Sequence, residues 1–131
     1  MSMKEAIVSV FSNYATFSGR ARRSEYWYFV LFNFLVAAAL GILASVAGDG
    51  MLGGLFRGLS GLYSLGTIVP GLAVCWRRMH DIGKSGAFTL LGLIPLVGMI
   101  LLIVWFCQDS QPGSNEYGAN PKENASYYSG R

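Results

Sequence analysis

Charge is scarce in this sequence. Only 13% of its 131 residues are Asp, Glu, Lys or Arg, whereas a soluble domain carries about a quarter. A soluble chain this short has a large surface to cover with polar groups, and those groups are missing. Cysteine and histidine are scarce too: Cys75, Cys107 and His80 are all there is. That excludes a disulfide framework, and with no second histidine at ligand spacing it excludes a zinc site. No Asp, Glu, Lys or Arg falls inside the long apolar runs, so the usual marker of a proton relay or ion pathway is lacking. The first apolar run starts near Tyr26 and no A-x-A-like site follows it, so no cleaved leader is expected. No Gly-x-Ser-x-Gly occurs. Gly83-Lys84-Ser85 resembles the end of a phosphate-binding loop, but the glycine required five residues earlier is Arg78. No metal or cofactor is expected.

What is present is apolar surface. The apolar share is 53% and mean hydropathy is +0.43, so lipid rather than water is the expected solvent for a single domain. Uncharged runs over 26–47, 58–76 and 87–107 contain 22, 19 and 21 residues. As helices they are long enough, at about 1.5 Å per residue, to cross a bilayer core of roughly 30 Å. The fold expected is therefore all-α, an integral membrane bundle of three transmembrane helices. Before them, Ile7, Val10, Phe11 and Tyr14 fall on one helical face, which predicts an interfacial amphipathic helix over about 3–17. Gly-rich residues 48–58 read as a short external loop. The membrane domain is thus 1–107. Residues 108–131, rich in Pro, Gly, Asn and Ser, read as an irregular, disordered polar tail. The glycosylation tripeptide at Asn124 lacks a secretory context and is set aside. Pro95 and Gly98 within the third run admit a second reading, in which 87–107 dips into the membrane and returns.

Net charge is +3 and the pI about 9.0, but no basic stripe is interleaved with exposed aromatics, so nucleic acid is not the expected partner. The cations flank the apolar runs instead. Lys4, Arg20, Arg22 and Arg23 precede the first, Arg57 follows it, and Arg77, Arg78 and Lys84 follow the second. With three spans, seven basic residues lie inside and three outside, Lys122 and Arg131 included, which predicts a cytoplasmic N-terminus and an external C-terminus. Tyr26, Trp27, Tyr28 and Trp76 fall at the inner interface, Trp105 and Phe106 at the outer. Inside the spans, Asn33, Ser64 and Thr67 are the polar groups, and Ala37, Gly41 and Ser45 recur at a spacing that permits close helix packing.

Two charged segments, "FSGRARRSEYW" (17–27) and "WRRMHDIGKSG" (76–86), are expected on one side of the membrane. In the second, Arg77, His80 and Asp81 share a helical face, so Arg77 is expected to fork onto Asp81 while Arg78 points about 100° away. Gly83 and Gly86 suit a helix stop, and Ser85 suits an N-cap. In the first, Arg22 and Glu25 are spaced for a local ion pair. One reading makes these residues a membrane anchor. The other makes Arg20, Arg22, Arg23, Glu25, Arg77, Arg78, His80, Asp81 and Lys84 a site for an anionic ligand, a lipid head group or a partner.

"FSGRARRSEYW", "RRMHDIGKSG", "LIPLVG" and "PGSNEYGANP" occur in this order over about 14–122. Together they resemble the bacterial inner-membrane family known as domain of unknown function 805. The resemblance implies a multi-span inner-membrane protein with no assigned activity. It carries the family's charged motif onto Arg20, Arg23, Glu25, Arg77, Arg78, His80 and Asp81, and its tail motif onto Pro112, Gly113, Asn115, Tyr117, Gly118, Asn120 and Pro121. A departure is Ala87-Phe88, where the family often has a Trp pair.

The reading that follows is a non-catalytic membrane component or scaffold in the bacterial inner membrane, with a cytoplasmic basic site for anionic lipid or a partner. Its alternatives are a small oligomeric channel or permease and, more weakly, a head-group enzyme with His80 as general base oriented by Asp81.

Overall fold

The computed structural model describes residues 2–121. Lys122, Arg131 and the Asn124 tripeptide lie outside them. The described chain is all-helical: α1 (Met3–Ser12), α2 (Arg23–Ala47), α3 (Met51–Asp81), a 3₁₀ segment (Gly86–Leu93) and α4 (Val97–Cys107). Among the described residues the only β pairing is an isolated bridge between Asn115 and Gly118.

Helices α2 and α3 are long and apolar enough to cross a membrane. They form a hairpin whose connection is shorter than the expected 48–58 loop. Gly48 turns at φ +79° and α3 starts at Met51, so residues 51–58 are helical despite their glycines. Midway along the hairpin the Tyr63 hydroxyl donates to Asn33 Oδ1 at 2.5 Å, which gives the Asn33 carbonyl a partner where lipid offers none. Outward-facing Leu52, Leu55, Leu62, Leu65 and Ile68 are exposed. An apolar surface of this extent is at odds with an aqueous solvent.

Helix α1 packs on the polar ends of α2 and α3. Ser2 caps it reciprocally with Glu5: Glu5 N donates to Ser2 Oγ and Ser2 N to Glu5 Oε1, a capping box. Those bonds hold the Glu5 carboxyl below the usual carboxylate range. The buried face is Ala6, Ser9 and Val10, rotated from the expected Ile7, Val10, Phe11 and Tyr14, and Tyr14 reaches instead to the Gly66 carbonyl of α3. The rotation turns Ser9 toward Glu25, and polar pairing outweighs the apolar pattern there.

The third apolar run is not one helix. Its 3₁₀ arm and α4 pack on each other, and each is about 16 Å long at 2.0 and 1.5 Å per residue, roughly half a bilayer core. Phe88 and Trp105 meet edge-on at 5.8 Å, so the arms are antiparallel. Between them Leu96 takes φ 65°, ψ −67° and Val97 N donates to Pro95 O at 2.7 Å, a three-residue γ-turn of the strained hand. Pro95 has no N–H with which to continue a helix. The end of α4 returns to the polar end of α2 and α3, where Arg23 donates to Cys107 O and Trp27 to Phe106 O. The expected continuous helix over 87–107 thus gives way to the returning form.

Gly98 separates the two forms experimentally. A β-carbon there would stand 1.7 Å from Leu91 O. In an uninterrupted helix Gly98→Ala should stabilise by about 0.5–1 kcal/mol. In the returning hairpin it should destabilise by roughly 1–3 kcal/mol, measured by thermal unfolding in detergent.

Candidate functional site

The polar end of the bundle is built on the last turn of α3, where Arg77, Arg78, Met79, His80 and Asp81 are all buried. Gly83, at φ +80°, stops the helix. Gly83 N and Lys84 N then donate back to His80 O and Met79 O, satisfying its last carbonyls as an αL glycine does. Ser85 caps the 3₁₀ arm through Ala87 N, as its position suggested. Two irregular segments close over this turn: the 13–22 loop, with Ala21 N on Arg77 O, and the chain after α4, with Gln111 N on Asp81 O.

Asp81 is the hub. One carboxylate oxygen takes Arg20 Nε at 3.0 Å. The other takes Arg78 Nη1 at 2.9 Å and Ser110 Oγ at 2.6 Å. Arg20 is saturated: besides Asp81 Oδ1, Nη1 donates to Gly113 O and Gly118 O, and Nη2 to Asp81 O and Gln111 O. These five acceptors match the five guanidinium donors. Arg78 turns its Nη2 to Phe106 O and Gln108 O, the carbonyl end of α4, where a cation also meets the negative pole of the helix. Its Nε has no acceptor among the described residues.

Arg77 does not fork onto Asp81 as expected. It turns to the α1–α2 side, where Nη1 meets Glu25 at 2.8 Å and Nε meets Thr16 O at 3.1 Å, and Ser9 Oγ joins the same Glu25 oxygen. The i,i+3 partner Arg78 occupies Asp81 instead, because Asp81 faces the loop and the tail rather than α2. His80 is apart from both carboxylates. Its Nδ1 lies 2.9 Å from Gly19 O and its ring stacks on Tyr117 at 4.0 Å and 2°, so Asp81 does not orient it.

The remaining expected residues lie at the rim. Arg22 is the backbone cap of α2, Arg23 is exposed, and Lys84 lies 5.1 Å from the Trp105 ring centroid. The structure therefore brings Arg20, Arg78 and Asp81 into one group and Arg77 and Glu25 into another. Sequence reasoning from charge missed Ser9, Ser110 and Gln111. It also read the tail from residue 108 as disordered, whereas residues 110–121 hold Arg20 and His80 in place. Asn115 donates to His80 O, and Asn120 and Pro121 are buried. The signal that marked these residues was the tail motif carried by family resemblance.

Fold and site together define an all-helical protein with greasy outer faces and a sealed, ion-paired polar end. The family model described as protein of unknown function (DUF805) matches residues 14–119, and the chain belongs to that family. It is 45% identical over 115 residues to inner membrane protein YhaI of Escherichia coli K12, covering 88% of this chain and 93% of that one. To inner membrane protein YhaH of the same strain it is 41% identical over 116 residues, covering 88% and 94%. No solved structure matches.

Asp81→Asn leaves Arg20 and Arg78 buried without a counter-charge. It should destabilise by roughly 3–5 kcal/mol in detergent unfolding, whereas Lys84→Gln at the rim should stay within about 0.5 kcal/mol of the parent.

Proposed function

We propose that this chain is a non-catalytic, multi-pass component of the bacterial inner membrane. In this reading α2 and α3 span, 86–107 re-enters, and both ends of the described chain face the cytoplasm, where a basic rim meets anionic head groups or a partner. The observation that carries it is the closure of the charged cluster. Arg20 and Asp81 spend their hydrogen-bonding capacity on each other, on Arg78 and Ser110, and on backbone carbonyls, and His80 lies against Gly19 O and Tyr117 instead of the Asp81 orienter that the head-group-enzyme reading gave it. A staple of this kind holds a scaffold together and leaves no acid–base pair open.

Charge supports the orientation. Lys4, Arg20, Arg22, Arg23, Arg77, Arg78 and Lys84 lie toward the polar end, and among the described residues Arg57 alone lies toward the other, an asymmetry that suits a cytoplasmic polar end. In this reading the segment after α4 is cytoplasmic, where three spans would put it outside. Lys4, Arg23 and Lys84 at the rim suit the negative potential of the cytoplasmic leaflet.

One observation favours an oligomer as a second reading. The hairpin apex is non-helical and open, with Leu93 81% and Leu96 72% exposed, and irregular backbone at membrane depth is tolerated where protein covers it. A second copy is the simplest cover, and a small channel or permease would be built that way.

Topology tests the main reading. Cysteine-free variants carrying Ser114→Cys or Asp49→Cys, both exposed positions, should react with an impermeant thiol reagent from opposite sides: Ser114→Cys in inverted vesicles, Asp49→Cys in intact spheroplasts. Labelling of Ser114→Cys from outside would restore three full spans.

A further inference from the structure

Between α2 and α3 runs a groove of about 410 Å³, lined among others by Val30, Asn33, Ser64, Thr67, Ile68 and Leu72. Val30, Ile68 and Leu72 are exposed along it, so the rest of the described chain leaves it uncovered. With α2 spanning, Asn33 stands about 15 Å along the helix from Arg23, near the middle of a core of roughly 30 Å. Thr67 is self-sufficient at that depth: its hydroxyl turns back onto Tyr63 O and Ser64 O. Asn33 is not. Its Oδ1 accepts from the Tyr63 hydroxyl, the one hydrogen bond its side chain makes among the described residues. The two N–H donors on Nδ2 are left over, on a residue that is half-buried rather than sealed, and acyl chains carry no acceptor for them.

We infer that this groove is the interface with a second copy of the chain, the two related by a two-fold axis beside Asn33. Two grounds favour a second copy. An amide is both donor and acceptor, so each Asn33 Nδ2 donates to the other copy's Oδ1, which keeps a second lone pair beyond the one Tyr63 uses. The pairing is self-complementary and closes, as a two-fold contact must. A copy inserted the same way also brings that acceptor to the same depth, which a head group at the membrane surface cannot do. Ala37, one turn along α2, is exposed and small, so it does not hold a second helix away. Val30, Ile68 and Leu72 then bury against the other copy around the amide pair. The inference deepens the oligomer reading above by naming its interface. It rests on α2 and α3 spanning, and not on which end is cytoplasmic or on the course of 86–107.

The test uses the full chain in membranes. Cysteine-free variants carrying Val30→Cys or Leu35→Cys, both exposed positions, compare two faces of α2 at nearly one depth: Val30 lies about 60° around the helix from Asn33 and Leu35 about 160°. Copper-phenanthroline oxidation of membrane vesicles should link Val30→Cys into a dimer and leave Leu35→Cys monomeric. Energy transfer between donor- and acceptor-labelled chains, followed as lipid dilutes them, gives the association constant. Asn33→Leu should weaken association about 5–30-fold. That variant also strips Tyr63 of its acceptor, so Tyr63→Phe is the control: it removes the bond within the hairpin, keeps the amide, and should leave association unchanged. A chain that is monomeric at every dilution overturns the inference, and so does equal cross-linking from both faces. Association that Asn33→Leu leaves unchanged, or that Tyr63→Phe weakens as much, overturns it too, because the copies would then meet elsewhere, the hairpin apex included. Asp49→Cys and Ser114→Cys labelled from opposite sides, with no dimer, sinks the interface and leaves the spanning hairpin standing, so the two failures are separable.

Discussion

Asp81 carries the polar end of this protein. Its carboxylate is 0% exposed, Arg20 and Arg78 reach it from segments sixty-one and three residues away, and Ser110 reaches it from beyond α4. Taking such ions out of water is expensive, and a buried ion group is weak evidence of stability by itself. Its use is geometric. Once one carboxylate has been buried, each guanidinium must find it or stay unpaired, so the 13–22 loop, the end of α3 and the 108–121 segment have a single arrangement that satisfies them all. The backbone carbonyls that Arg20 and Arg78 also collect spread the second positive charge over neutral dipoles.

The returning hairpin follows from the same requirement. An α-helix that ended at the far side of the bilayer could leave its last carbonyls to water. Helix α4 ends instead against Arg78, Arg23 and Trp27, which donate to Phe106, Cys107 and Gln108 carbonyls. The break that permits the return is local: Pro95 removes a donor, Leu96 takes a positive φ, and Gly98 has no β-carbon to strike Leu91 O. The favourable ending offsets the strain at Leu96, because several carbonyls gain partners where one residue is held in a poor conformation.

These causes explain what the sequence made legible. The two long helices were readable, since an uncharged run of about twenty residues has few other solutions, and so were the stop at Gly83 and the cap at Ser85. The charged residues were identifiable as a group from their types and flanks. Their pairing was not. Helical spacing put Arg77 on Asp81, but spacing knows nothing of Glu25 fifty-two residues away, and long-range partners decide which i,i+3 or i,i+4 option is taken. The third run misled because composition cannot separate a spanning helix from two half-length arms. Pro95 and Gly98 held the information, but both residues also occur inside true spans. The first part of the tail misled for the opposite reason: residues 108–121 have too little apolar content to pack by themselves, and they are held by hydrogen bonds to arginines, which composition does not register. Ser2 and Glu5 did spell a capping box that could have fixed the start of α1.

In the proposed orientation the arginines also act at two different times. Positive charge orients a span while the chain is being inserted, before any tertiary pairing exists, and at that stage Arg20, Arg77 and Arg78 count fully. In the folded protein the same three are buried at 3% exposure or less and contribute little to the outer potential, which falls to Lys4, Arg23 and Lys84 at the rim. A residue needed only for orientation could stay at the surface and be a lysine. Burial against Asp81, Glu25 and backbone carbonyls asks for a planar donor with several fixed N–H groups, which is arginine and not lysine. The division of the two basic residue types between the buried cluster and part of the rim is therefore what a folded staple requires, and orientation alone does not account for it.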